Sequence, residues 1–152
     1  MTALDDKGRF VLPQSYRLGL VEDGALEFAV CMSASGCLSI YRMSEMKRIV
    51  AMFEKIQHQP RFQGFLTLFF STLYHTTCDK LGRVQLPSSL RSLAKLDNEI
   101  VIAGVISRVE LWPKAMYEAA FEKFTSPNAT SELKRVAEEA FALLHETDSS
   151  VT

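Results

Sequence analysis

The stretch "LDDKGRFVLP" at residues 4–13 returns as "CDKLGRVQLP" at residues 78–87. In each copy an Asp (Asp5, Asp79) stands four residues ahead of an Arg (Arg9, Arg83), and a Gly (Gly8, Gly82) immediately precedes that Arg. A hydrophobic residue follows, and Pro13 or Pro87 closes the motif four residues past the Arg. Asp suits a turn because its short carboxylate accepts backbone N–H bonds from residues just ahead of it. Gly takes the positive φ that a tight reversal or bulge requires. The Arg then begins the outgoing strand within reach of the Asp. Two roles follow. The pair locks a turn, or the turn aims a guanidinium whose planar fork binds phosphates and guanine edges. The roles coexist if Asp orients Arg and the outer nitrogens meet DNA.

The duplication extends beyond the motif. "QSYRLGL" follows Pro13 and "SSLRSLAKL" follows Pro87, so Arg17 and Arg91 hold equivalent places. Lys7, Lys80, Arg17 and Arg91 are therefore expected to widen the cationic surface around Arg9 and Arg83. Each copy then leads into β-prone segments: 25–33 and 37–43 around Ser35-Gly36 in the first, and 99–112 in the second, turning around Gly104 to Arg108. "LSIY" and "VELW" correspond, matching Ile40 with Leu111 and Tyr41 with Trp112. Both copies next turn helical. Ser44 is the expected N-cap before Met46, Ile49, Val50 and Phe53, and Pro113 the expected first helical residue before Met116, Ala120, Phe121 and Phe124.

These patterns divide the chain into a first repeat (1–52), an inter-repeat helix (60–72) with a Phe62–Phe65–Leu66–Phe69–Leu73 stripe, a second repeat (73–120) and a C-terminal helix (130–146). The inter-repeat stripe predicts core or subunit contact rather than a ligand pocket. "TSPNAT" predicts a loop, Leu133, Val136, Ala137, Ala140 and Leu144 one face of an amphipathic helix, and "TDSSVT" a frayed end.

Composition excludes several classes. At 152 residues with 47% hydrophobic and 23% charged residues, the chain is an ordinary globular domain, with 17 Lys+Arg against 18 Asp+Glu. A net charge of −1 announces no nucleic-acid partner in bulk, so an anion-binding surface must come from local placement of a few cations. No apolar run is long enough for a membrane span, and the acidic start is unlike a secretory signal. Cys31, Cys37 and Cys78 form no CxxC pair, which predicts free thiols in the cytoplasm, with neither a disulfide framework nor a metal site. His58, His75 and His145 are scattered, and no GxSxG, Walker loop or HExxH occurs, so no catalytic residue, enzymatic activity, cofactor or small-molecule substrate is expected.

The twice-written DxxGR motif with its apolar residue, Pro and Arg resembles the MraZ family of bacterial transcriptional regulators. "VELWPKAMYEAAF" is similar to that family's ending of the second repeat, and the likeness runs from Leu4 to about Phe124. The resemblance implies an α+β fold: a duplicated AbrB/SpoVT-type swapped-hairpin β-barrel with peripheral helices and a pseudo-twofold axis within one chain. It also implies a ring-shaped homo-oligomer in the cytoplasm and nucleoid. That ring would bind repeated boxes of double-stranded DNA upstream of the division and cell-wall gene cluster, including its own promoter, most simply as a repressor. Arg9 and Arg83 are the implied DNA contacts, oriented by Asp5 and Asp79. Lys7 matches the family's Lys-Gly-Arg, whereas Leu81 takes that place in the second copy with Lys80 before it. The family's first strand is longer than "MTAL" allows, so the first strand is expected to be truncated, to be paired by a neighbour, or to start upstream of this sequence. The alternative is a MazE-like, antitoxin-type interaction module, which resembles the same half-barrel but works through a flexible acidic tail.

Overall fold

The computed structural model describes the backbone of residues 2–125 and 127–151, and the side chains of 2–122 and 132–146. Strands and helices follow in two matching series. The first is β1 (Thr2–Ala3), β2 (Arg9–Val11), α1 (Gln14–Leu20), β3 (Glu27–Met32), β4 (Leu38–Arg42) and α2 (Met43–Glu54). After α3 (Pro60–Thr72) comes the second: β5 (Tyr74–Thr77), β6 (Arg83–Gln85), α4 (Ser88–Leu93), β7 (Glu99–Val105), β8 (Arg108–Pro113) and α5 (Lys114–Thr125), with α6 (Pro127–Val151) last. Residues Met1–Lys114 pack as one unit and Ala115–Thr152 as another. The repeated prolines act alike: Pro13 (φ −55, ψ 145) and Pro87 (φ −66, ψ 149) hold an extended conformation just before α1 and α4.

The first unit is a mixed α+β body around a curled antiparallel sheet in the order β1-β7-β8-β4-β3-β5, with β2 and β6 paired separately. Exchange β1 with β5, β3 with β7 and β4 with β8, and that order reverses onto itself. This is the signature of a pseudo-twofold axis. The axis passes between Phe10 and Val84, which face each other at the centre of the β2–β6 pair. It also passes between Ser39 and Glu110, opposed at the centre of the β4–β8 pair. The hairpins β3–β4 and β7–β8 are local, but the opening strands are exchanged. β1 pairs with β7 (Thr2↔Ile100, Ala3↔Glu99), and β5 pairs with β3 (Thr76↔Phe28, Thr77↔Glu27). Neither repeat completes its sheet without the other. The opening strand β1 has two residues, against four in β5.

Alternation sends one face of each strand inward. Phe10, Leu12, Phe28, Val30, Leu38 and Ile40 from the first repeat meet Val84, Leu86, Leu90, Ile100, Val109 and Leu111 from the second in one core. Each such side chain, once fully buried, contributes ~1.5–3 kcal/mol. A second cluster gathers Ala29, Cys31, Met46 and Phe69, with Ile49, Val50 and Phe53 of α2 packed against it. The α2 stripe therefore faces inward as its spacing predicts.

Several local expectations are corrected. Ser44 caps nothing: α2 begins at Met43, and the Ser44 N–H donates to Glu22 Oε1 at 2.9 Å, an acceptor brought from a distant loop. Pro113 ends β8, and α5 starts one residue later. Gly104 lies inside β7 rather than in the turn. A Cβ there would fall 2.6 Å from Tyr16 Cε1, and the reversal is made at Ile106 (φ 49) and Ser107. The Phe62–Leu73 stripe is split: Leu66 and Phe69 are buried and Phe62 and Leu73 half-buried, while Phe65 is exposed. In α5, Phe121 is exposed and stacked on Tyr117, and the Phe124 side chain lies outside the described residues. The helix α6 begins at Pro127, inside the expected loop, and continues to Val151, through residues expected to fray. Its Leu133, Val136 and Leu144 are exposed.

Candidate nucleic-acid interface

The two repeated turns have one construction. Asp5 Oδ1 accepts the backbone N–H groups of Lys7 (2.9 Å) and Arg9 (2.8 Å), while Oδ2 accepts Arg9 Nε at 2.8 Å. Asp79 Oδ1 accepts those of Leu81 (2.9 Å) and Arg83 (2.8 Å), and Oδ2 accepts Arg83 Nε at 2.7 Å. The backbone closes each loop with Gly8 N–H donating to Asp5 O and Gly82 N–H to Asp79 O, both at 3.0 Å. Gly8 (φ 77) and Gly82 (φ 83) sit in the left-handed region, where other residues are strained. The backbone bond from Arg9 is the largest influence holding the Asp5 carboxyl below its ordinary range, and the bond from Arg83 does the same for Asp79. Both carboxylates are therefore ionised at neutral pH.

Asp grips each guanidinium at Nε, which leaves the two terminal nitrogens outside the clamp. Neither Arg9 nor Arg83 has a hydrogen-bond partner for them among the described residues. Both arginines are about one-third exposed, with side chains 27% and 36% accessible. They are not inside the barrel.

Strand pairing brings these groups from residues 74 apart to one place. In β2–β6, Arg9 lies opposite Gln85 and Val11 opposite Arg83, while Phe10 and Val84 between them point into the core. Arg9, Val11, Arg83 and Gln85 thus share the outward face of a two-stranded ribbon. An open cleft of about 370 Å³ is lined by Arg9, Arg83 and Gln85 on this ribbon, by Asp79, and by Tyr74, Thr76 and Thr77. A two-stranded β-ribbon is one of the elements a DNA major groove admits. Motif reading overlooked Val11 and Gln85, although their place two residues after each Arg, on the same strand face, would have found them.

Lys7 and Lys80 stand exposed on the turn tips, beside Asp6 and Leu81 respectively. Arg17 and Arg91 do not stand free beside them. Each is half-buried, with its guanidinium laid against the glycine of the opposite repeat's turn: Arg17 over Gly82, Arg91 over Gly8.

Elsewhere little suggests chemistry. Burial pushes the Cys31 thiol up to about 12, and the Cys37 and Cys78 thiols are also raised by burial. All three cysteines are free. No group of three or more His, Cys, Asp or Glu gathers into a metal-binding cluster among the described residues. No helix among them is long and apolar enough to cross a membrane. A larger cleft of about 540 Å³ between α2 and α3 is lined mainly by apolar and amide side chains, including Val50, Phe53, Gln57, Leu66 and Phe70.

Comparison with known proteins finds relatives along most of the chain. The family model described as "MraZ protein, putative antitoxin-like" matches residues 1–65 and 69–139. A protein of Desulforamulus reducens named "Transcriptional regulator MraZ" is 34% identical over 128 residues, covering 79% of this chain and 87% of the relative. One of the same name from Pelotomaculum thermopropionicum is 36% identical over 120 residues, covering 76% and 78%. Another from Natranaerobius thermophilus is 33% identical over 141 residues, covering 90% of both chains.

Proposed function

The chain belongs to the MraZ family, and we propose that it is a non-enzymatic transcriptional regulator that reads double-stranded DNA with the outward face of its β2–β6 ribbon. The observation carrying this is the pair of Asp-clamped guanidinium groups, Arg9 and Arg83, which line one cleft and whose terminal nitrogens have no hydrogen bond among the described residues. A clamped Arg has already lost much of its side-chain freedom, so less entropy is spent on contact with phosphate or guanine. Lys7 and Lys80 add charge at the rim. Residues 1–52 and 73–120 serve as two half-readers, with 60–72 and 130–146 as accessory helices.

A protomer of net charge −1 with two presented arginines binds DNA weakly by itself. The protein therefore acts as a homo-oligomeric ring that sets many such ribbons against repeated promoter boxes, where avidity multiplies weak contacts. Exposed Phe65, Leu68 and Phe70 on α3 offer apolar area for contact between copies. The regulated genes are the division and cell-wall cluster, the protein's own promoter included, and repression in the cytoplasm, at the nucleoid, is the outcome. The antitoxin-type alternative has less support, because α6 is a 25-residue helix rather than an extended acidic tail.

The test is a gel shift with the DNA upstream of the protein's own operon, run beside mass photometry and thermal melts. Wild-type protein retards the duplex as an oligomer, and Arg9→Ala and Arg83→Ala each weaken binding about tenfold or more while melting normally. Unchanged shifts for both variants at matching melts would leave the clamp with a purely structural role.

A further inference from the structure

Arg17 on α1 and Arg91 on α4 are the last repeated cations of the duplicated motif, and their placement is reciprocal. A Cβ built on Gly82 would lie 2.9 Å from both Cζ and Nη1 of Arg17. One built on Gly8 would lie 2.5 Å from Nε and 2.6 Å from Cζ of Arg91. Each guanidinium thus occupies the space that a side chain at the opposite repeat's turn would need. The Nε atoms of Arg17 and Arg91 are buried with no hydrogen-bond partner among the described residues. Withdrawing a guanidinium nitrogen from water without a partner is unfavourable, so these groups are held by packing against the turns rather than by a polar bond at Nε. The same segments are tied by backbone: Leu12 N–H donates to Gly82 O at 2.8 Å, and Leu86 N–H donates to Gly8 O at 3.0 Å.

We infer that Arg17 and Arg91 are positioning residues that act across the repeat boundary: Arg17 holds the Asp79–Arg83 turn, and Arg91 holds the Asp5–Arg9 turn. Asp fixes each guanidinium direction from within its own loop, and the partner repeat's Arg fixes the loop itself from behind. The repeated Gly then has two duties, the positive φ and the vacancy into which the other repeat's Arg fits. Arg17 contributes to DNA contact through Arg83, and Arg91 through Arg9, a consequence that rests on the DNA reading above. The structural half does not depend on it.

Hydrogen exchange on the full chain tests that half. In Arg17→Ala, the amides of Leu81, Gly82 and Arg83 lose protection while those of Lys7, Gly8 and Arg9 keep it, and Arg91→Ala gives the mirror image. Arg17→Lys, which keeps an aliphatic stem and a charge but lacks the planar head that fills the space at Gly82, gives the same pattern and stands in for Arg17→Ala if that variant fails to fold. Loss confined to the substituted repeat, or spread equally over both, would overturn the inference. Binding to the upstream duplex tests the other half by double-mutant cycles. Arg17→Ala weakens binding about tenfold in the Arg9→Ala background but less than about twofold in the Arg83→Ala background, because coupled groups are not additive. Equal losses in both backgrounds would make Arg17 an independent contact and overturn the positioning role. If the wild-type protein binds no DNA, the functional reading fails and the exchange experiment still decides the cross-repeat hold.

Discussion

The Asp5–Arg9 and Asp79–Arg83 turns differ at two of their three middle residues, yet their hydrogen bonds coincide. Asp6-Lys7-Gly8 fills one and Lys80-Leu81-Gly82 the other. The three bonds to the carboxylate measure 2.9, 2.8 and 2.8 Å in the first and 2.9, 2.8 and 2.7 Å in the second. The construction is therefore set by Asp, Gly and Arg alone, and the remaining positions are free to carry something else. They carry different things. The first tip offers an acid and a Lys, the second a Lys and a Leu that is 68% exposed. Behind them, Val11 and Gln85 occupy matching places on the ribbon face with an apolar group in one and an amide in the other. A symmetric scaffold presents an asymmetric surface.

The largest effect expected from breaking the symmetry is at its centre. Phe10 and Val84 meet across the axis, both essentially inaccessible. Phe10→Ala should cost ~3–5 kcal/mol in urea denaturation, since transfer and cavity contributions add. Val84→Ala should cost clearly less, because fewer buried methyl groups are lost. Equal costs would mean that the repeats do not share their core as the register indicates.

Exchanging the tips gives an intermediate effect. Lys7→Leu should lower the magnitude of the salt slope of duplex binding by about 1, and Leu81→Lys should raise it by about 1, each tip cation adding a phosphate contact. Denaturation midpoints should stay unchanged, because both positions are exposed. A slope that responds at one tip only would show that the two turns meet the duplex unequally.

The smallest effect is in acid. Asp5 and Asp79 are lowered from 3.8 by the same influences in the same order, the backbone bond to the clamped Arg first. A carboxyl whose folded value is depressed stabilises the fold above its unfolded value and loses that contribution as pH falls through the folded value. Carboxyl carbon shifts followed by NMR should titrate together for both residues, below 3.8. The stability gap between wild type and Asp79→Asn should narrow as pH drops across that interval. Separate midpoints would break the equivalence of the turns.

Much of the scaffold was legible because it is local. The clamp spans five residues, so Asp5, Gly8 and Arg9 announce it without reference to the rest of the chain. The hairpins at 25–43 and 99–112 were legible from β-prone runs flanking turn residues, and the α2 stripe from its period. What escaped was set by partners far away in sequence. Gly104 reads as a turn residue but serves as a seat for Tyr16. Ser44 reads as a cap, but Glu22 supplies the acceptor for its N–H. In α3, spacing alone did not separate Phe69, which is buried, from Phe65, which is exposed. Of the candidate interface, the four motif residues were legible as a unit. Their assembly with Val11 and Gln85 into one face was not, because it depends on β2 lying against β6.

The sequence by itself determined that two equivalent units exist and that each carries a carboxylate-clamped arginine, because those features close within a few residues of backbone. Tertiary structure decided that the opening strands change places, that Arg17 covers Gly82 and Arg91 covers Gly8, and that both guanidinium groups arrive at one cleft. The reason is physical. Contacts across some seventy residues form only after the loop between them has been closed, and burial of a shared apolar core is what offsets that entropy.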